Sequence, residues 1–208
     1  MNNRYNLIAG QNVARLEALS DGVFAVAMTL LVLDLHAPAT EAIVGDGDLL
    51  RALGNLAPKL LVYFMSFLTL GIFWVGQQTQ LNHVARGDRN FAWINLVFLF
   101  AVTLMPFSTI LMSEFIVYRT ALLIYWSNIL LLGALLFASW SYAGRAQLLP
   151  ADLAEEVRHS VRDRILVAQL LYAFGAVLCV VNTYWSLGFI VLVQLNYVLA
   201  PRMWFRRG

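Results

Sequence analysis

Asp21 is the first residue whose chemistry needs an account. It stands in an apolar run, about Ala18–Leu35, next to Ser20. A carboxylate at the centre of a membrane helix costs roughly 2.5–3.5 kcal/mol even on the lenient insertion scale. Further along the same run stands Thr29, whose hydroxyl oxygen can replace a hydration water. On a helix of 3.6 residues per turn, Gly22, Thr29, Leu30 and Leu33 fall on the same side as Val26, whereas Asp21 lies about 140° and Ser20 about 120° away from it. One face is therefore apolar apart from Thr29, and the carboxylate points into neighbouring helices. Arg15 does not share the Asp21 face, so a local ion pair is not expected. Both groups should find partners on other segments, since unpaired polar groups in lipid each cost several kcal/mol. Candidates at matching depth are Trp74, Gln77, Gln78, His83 and Asn95. Locking of helix packing by Arg15, Ser20, Asp21, Trp74, Gln78 and Asn95 is favoured over direct ion binding by the carboxylate. For Thr29 the plain alternative is a hydroxyl that bonds the carbonyl four residues back.

The elements that position these residues are set by composition. The 208 residues are 61% hydrophobic and 12% charged, against about 25% charged in an ordinary soluble domain. A spanning helix needs about 20 mostly apolar residues, and six segments qualify: about Ala18–Leu35, Leu56–Gly76 (running on toward Leu81), Phe91–Met112, Arg119–Tyr142, Ile165–Asn182 and Ser186–Trp204. The expectation is an all-α polytopic fold with six transmembrane helices in one domain, 1–208. Asn182–Trp185 reads as a tight hairpin, Ala37–Leu50 as a loop, and Ala151–Asp163 as a short amphipathic helix with Leu153, Val157 and Val161 on one face. Six spans put both termini on one side. That side holds eleven arginines, from Arg4 to Arg207, while the other holds Arg51, Lys59 and Arg119. The positive-inside rule then places both termini in the cytoplasm. Tyr5, Trp93 and Trp204 are among the aromatic residues at span ends that suit interfacial belts. Asp34, Glu41, Asp46, Asp48 and Glu114 fall on the outer side, as solvated loop residues or as an acidic mouth that gathers cations.

Other classes find little support. A net charge of +2 gives no nucleic-acid reading. Cys179 is the single cysteine, and His36, His83 and His159 are dispersed, which leaves no metal centre to expect. No H-E-x-x-H, G-x-S-x-G or phosphate-cradling loop occurs, so the chain does not read as an enzyme. Neither a cleavable signal peptide nor an internal repeat is expected. A secondary transporter or proton pathway using Asp21 and Asp34 is the rival reading, although no inverted repeats or broken mid-span helices are visible.

The run from Arg15 to Leu35, R-L-E-A-L-S-D-G-V-F-A-V-A-M-T-L-L-V-L-D-L, closely resembles the transmembrane protein 175 signature R-x-x-x-F-S-D-G-V-F-A-I-x-x-T-L-L-V-L-D-I. Phe73-Trp74, Trp93-Ile94-Asn95-Leu96 and Leu104-Met105-Pro106-Phe107 also resemble that family's second and third helices; beyond about Phe107 the likeness is one of hydropathy. The resemblance implies a bacterial potassium channel, in the inner membrane, assembled as a homotetramer around a pore lined by the first helix. It implies no carbonyl selectivity filter, and no T-V-G-Y-G-like motif is present. By the same resemblance Val26 forms the narrowest apolar layer, Thr29 a hydroxyl layer where potassium passes transiently, and Leu33 a second apolar layer. No cofactor is implied; potassium is the permeant ion. Three positions depart from the pattern. Leu19 replaces a Phe, Val26 an Ile that is one methylene larger, and Gln77-Gln78 a frequent His pair that could titrate near neutral pH.

Overall fold

The computed structural model describes residues 10–40 and 43–199; Arg4, Tyr5, Glu41, Arg202, Trp204, Arg206 and Arg207 lie outside them. All regular structure among the described residues is helical. In chain order the helices are α1 (Val13–Leu30), which tightens into a 3₁₀ turn at Leu31–Asp34, α2 (Asp46–Asn55), α3 (Ala57–Leu81), α4 (Arg89–Thr103), α5 (Met105–Glu114), α6 (Arg119–Arg145), α7 (Glu155–Val177), followed by a 3₁₀ turn at Leu178–Val180, and α8 (Thr183–Leu199). Five units are long and apolar enough to cross a membrane: Val13–Asp34, Ala57–Leu81, Arg89–Glu114, Arg119–Arg145 and Glu155–Val180. The sixth, α8, is apolar but has 17 described residues.

Local chemistry explains the boundaries. Asn12 caps α1, its side-chain oxygen accepting from the Arg15 N–H at 3.1 Å, and Asp88 caps α4 through the Phe91 N–H at 2.8 Å. Each satisfies a donor that a helix start leaves open. Pro58 and Pro106 stand in the first turns of α3 and α5, where a missing N–H costs nothing. The third span is one membrane-crossing unit as expected, Arg89–Glu114, but near Pro106 it is divided into two helices: α4 ends at Thr103 and α5 starts at Met105.

Three other expectations are corrected. The stretch read as a separate amphipathic helix at Ala151–Asp163 is the first part of α7, which starts at Glu155 and runs on unbroken into the fifth span. Acidic Glu155 and Glu156 in its first turn suit the positive end of the helix dipole. The loop read at Ala37–Leu50 ends in α2, which begins at Asp46. The turn between the last two helices is tighter than four residues, because α8 already starts at Thr183 and Asn182 accepts from the Tyr184 N–H at 2.8 Å.

The core lies between α3, α4, α5 and α6, with Met65, Leu70, Phe98, Val102, Met105, Tyr125 and Ile129 fully or almost fully buried. A hydroxyl and amide network crosses its middle. Thr109 donates to Ser66 at 2.8 Å, Ser66 donates to the Tyr125 hydroxyl at 3.2 Å, and Gln194 donates to Thr69 at 2.6 Å. Such bonds keep polar atoms tolerable away from water. The α7–α8 hairpin packs outside this core at close range. A Cβ on Gly175 would stand 2.9 Å from Ile190 Cγ1, and one on Gly133 of α6 would overlap Gln169 of α7.

The two ends of the bundle are tied separately. At one end the Tyr142 hydroxyl donates to Asp88 at 2.7 Å, Trp140 donates to the Arg158 carbonyl at 3.1 Å, and the Gly87 N–H donates to the Gln11 carbonyl at 3.2 Å. At the other, Lys59 pairs with Glu114 and Arg119 donates to the Val180 carbonyl at 2.9 Å. Arg15, Arg86, Arg89, Arg145, Arg158 and Arg162 gather at the first end. Arg51, Lys59 and Arg119 stand at the second.

Candidate functional site

Helix α1 packs against α3 and α4 at the edge of the bundle. Its buried stripe is Ser20, Phe24, Ala27 and Leu31, a helical repeat that faces the core. Phe24 meets Phe98 with ring centroids 6.1 Å apart. The Ser20 hydroxyl donates back to the Leu16 carbonyl at 2.9 Å, so it satisfies itself and packs.

A second contact fixes the rotation of α1. Trp74 Nε1 and Gln78 Nε2, one turn apart on α3, both donate to Asp21 Oδ1, at 2.8 and 2.6 Å. Hydrogen bonds to a carboxylate are roughly twice as strong as neutral ones. Trp74 and Gln78 are therefore the partners among the five candidates. The others serve elsewhere. Gln77 donates to Asn95 at 3.1 Å, Asn95 donates to Ser139 at 3.2 Å and to the Phe91 carbonyl at 2.9 Å, and a His83 ring nitrogen lies 2.7 Å from the Thr79 carbonyl. Asn95 thus joins α3, α4 and α6 rather than reaching α1. Among the described residues the Arg15 side chain has no hydrogen-bond partner, and it is exposed.

With its inner stripe and Asp21 held, α1 turns the opposite face outward. Val26 is 58% and Leu33 67% exposed, Leu30 is exposed, and Gly22 and Thr29 stand between them, also exposed. None of these five is covered by the other described residues. The Thr29 hydroxyl lies 3.0 Å from the Ala25 carbonyl and 2.9 Å from the Val26 carbonyl. Its proton is committed to its own helix, as a helical threonine allows. The hydroxyl oxygen keeps its acceptor capacity, because a hydroxyl carries one donor and two lone pairs.

Asp34 departs from expectation. It is 9% exposed rather than part of an open acidic mouth, and Ser113 of α5 donates to it. With Glu114 paired to Lys59 and Asp48 3.8 Å from Arg51, the described acidic groups at this end are largely answered by local partners. Ser113 was not among the candidate residues; its one signal was a polar side chain at the depth of Asp34 on another span. Among the described residues no three His, Cys, Asp or Glu side chains gather so as to hold a metal ion.

The family model of the endosomal/lysosomal potassium channel TMEM175 matches residues 15–106. A potassium channel of Chamaesiphon minutus is 31% identical over 191 residues, which cover 89% of this chain and 93% of that one. The chain belongs to the TMEM175 family. A potassium channel of Streptomyces collinus is 42% identical over 102 residues, and here the match spans about half of each protein: 49% of this chain and 48% of the relative. The crystal structure of a lysosomal potassium-selective channel TMEM175 homolog from Chamaesiphon minutus superposes with a TM-score of 0.78 at 29% identity, covering 90% of this chain and 96% of that one. TMEM175 proteins of Gallus gallus and Homo sapiens, 36% and 35% identical over 49% and 44% of this chain and covering 21% and 19% of their own length, carry the name endosomal/lysosomal proton channel. TMEM175 proteins are ion channels and not enzymes, and the all-helical membrane fold is theirs.

Proposed function

We propose that four copies of this chain surround a central pore lined by α1 and conduct potassium passively down its gradient. The observation that carries this reading is the uncovered face Gly22–Val26–Thr29–Leu30–Leu33, set outward by the Asp21 anchor. A second uncovered face, Leu166, Leu170, Phe174 and Val177 of α7, is apolar throughout and suits lipid. The α1 face instead carries a hydroxyl between apolar side chains, which lipid does not favour but a conduit uses. Four Val26 and four Leu33 side chains make apolar rings, and four Thr29 hydroxyls lie between them. A hydroxyl oxygen substitutes for water on potassium at lower cost than on the more tightly hydrated sodium ion, so selectivity is modest. No cofactor takes part. The arginine-rich end faces the cytoplasm of a bacterium and the protein lies in its inner membrane, consistent with the asymmetry of basic residues.

Potassium flux from proteoliposomes holding the purified protein, measured against sodium, tests this. Val26→Asn opens an apolar constriction and raises the flux of both ions. Flux equal to that of empty vesicles, or saturable flux at fixed stoichiometry, would exclude a channel. Proton conduction is a second reading, favoured by the names of the vertebrate relatives and by the buried Asp34. A pH-sensitive dye inside potassium-free vesicles separates the two.

A further inference from the structure

Arg164 stands at the edge of the hydrocarbon region. It is the last charged residue before the run Ile165–Val181, which holds none. Its guanidinium lies over the Tyr197 ring, 5.7 Å from the centroid, and among the described residues no carboxylate pairs with it. Two clefts open from this point. The first, of about 260 Å³, lies between α3, α6, α7 and α8 and follows α7 inward from Arg164 to Tyr172. The second, of about 720 Å³, lies between α1, α3 and α8 and follows α3 inward from Val75 to Phe67. Each of these stretches advances eight residues, or about 12 Å at 1.5 Å each. Ile72, Val75, Arg164 and Tyr197 line both clefts. Beyond that common rim the walls are mostly apolar, with Leu136 and Ala168 in the first and Phe24 and Leu68 in the second. The polar Tyr172 hydroxyl at the inner end of the first is bonded to Gln194. One unpaired cation therefore stands where two apolar clefts of similar depth meet.

We propose that Arg164 and the two clefts hold one diacyl anionic phospholipid, its phosphate at the guanidinium and one acyl chain in each cleft. Guanidinium groups bind phosphate through charge-assisted bonds, and a basic residue between helices at the membrane boundary favours anionic headgroups. Phosphate, glycerol and both esters stay together at that boundary, within reach of water, and only the acyl chains run inward. A one-chain lipid would leave one cleft unfilled, and a soluble phosphate would leave both. Asp21 borders the second cleft, but Trp74 and Gln78 answer its charge, so it does not compete for the guanidinium. Ala25 and Met28, the other α1 residues of that cleft besides Phe24, lie about 100° and 160° around the helix from Val26. The lipid site is thus separate from the face proposed to line the pore.

Native mass spectrometry of the full chain, delipidated in detergent and titrated with phosphatidylglycerol, tests this. Phosphatidylethanolamine and lysophosphatidylglycerol with the same acyl chains, and glycerol 3-phosphate, serve as comparisons. Phosphatidylglycerol should bind at one site per chain. Phosphatidylethanolamine should bind more weakly, because its ammonium offsets the phosphate charge. Lysophosphatidylglycerol should bind at least about tenfold more weakly, since burying even two methylenes is worth that much. Arg164→Gln should weaken phosphatidylglycerol about tenfold, the worth of a charge-assisted bond, and remove its advantage over phosphatidylethanolamine. A Cβ on Gly71 would meet only Met28 Cε, at 3.7 Å, so Gly71→Leu grows into the second cleft, and Ala168→Phe fills the first. Either should bring phosphatidylglycerol down to the affinity of the one-chain lipid. Equal affinity for the two diacyl lipids, or an unchanged affinity in Arg164→Gln, would overturn the headgroup site. Equal affinity for one-chain and two-chain lipid would overturn the paired clefts. Glycerol 3-phosphate binding as tightly as the lipid would assign Arg164 to free phosphate. No binding of any lipid would mean that another copy of the chain covers the clefts, and would overturn the proposal. Should a cleft-filling variant not fold, Arg164→Gln and the one-chain comparison decide alone.

Discussion

At the scale of single residues, the rotation of α1 rests on the two hydrogen bonds that Trp74 and Gln78 donate to Asp21. Gln78→Leu removes one of them and should cost about 1.5–3 kcal/mol, the worth of a hydrogen bond to a charged group, read as a lower Tm in thermal scans of the purified protein in detergent. Thr29 makes a second residue-scale prediction. Its hydroxyl proton is held by the Ala25 and Val26 carbonyls, so only its oxygen is available to an ion. Thr29→Ala should bring the potassium-to-sodium permeability ratio toward one, and Thr29→Ser should keep it. Reversal potentials in planar bilayers under bi-ionic conditions read both.

At the scale of elements, the bundle depends on close approaches between α7 and its neighbours. Gly175 leaves no room for a side chain against Ile190 and Phe189. Gly175→Val should cost about 1–3 kcal/mol by overpacking and lower the Tm of the purified protein. Gly188, whose Cβ would meet nothing within 4 Å, should accept alanine with little change in the same assay. Part of this architecture was legible beforehand. The stripe from Gly22 to Leu33 follows from helical periodicity alone, and depth placed Trp74 and Gln78 in a set of five candidates without choosing between them; only the packing of α1 on α3 does that. Other features had no such signal. Asp34 stands at the end of a span, where an aspartate in water and one paired to Ser113 read alike, and its partner is 79 residues away. The polar start of α7 reads as a separate helix because a helix that leaves the bilayer stops being apolar without ceasing to be continuous. Hydropathy also cannot see the break after Thr103, because both sides of it are equally apolar; Pro106 was the visible clue.

At the scale of the whole molecule, the question is what covers α1. Only 22% of its most apolar window is buried within the described residues, the same share as for Glu155–Val180 and against 56% for Arg89–Glu114, so burial alone does not separate α1 from a lipid-facing helix. Lipid could cover a helix of that kind, but lipid gives no reason to set Thr29 outward or to spend two donors on Asp21 fixing the rotation of α1. The proposed arrangement of four copies around an axis does. They also bring like residues together, which a cross-link can read. A disulfide requires Cα atoms about 4.4–6.8 Å apart, a spacing reached near a narrow axis and not on a lipid-facing surface. In a Cys179→Ser background, Leu33→Cys should form subunit dimers on oxidation in membranes. Leu170→Cys, similarly exposed at 70% against 67% but on the apolar face of α7, should stay monomeric on a non-reducing gel. Dimers from Leu170→Cys with none from Leu33→Cys would mean that α7 faces the axis and that the α1 conduit is wrong. If Leu33→Cys dimers form, potassium flux should fall on oxidation and return on reduction, because a covalent bridge across that ring narrows the path that ions take.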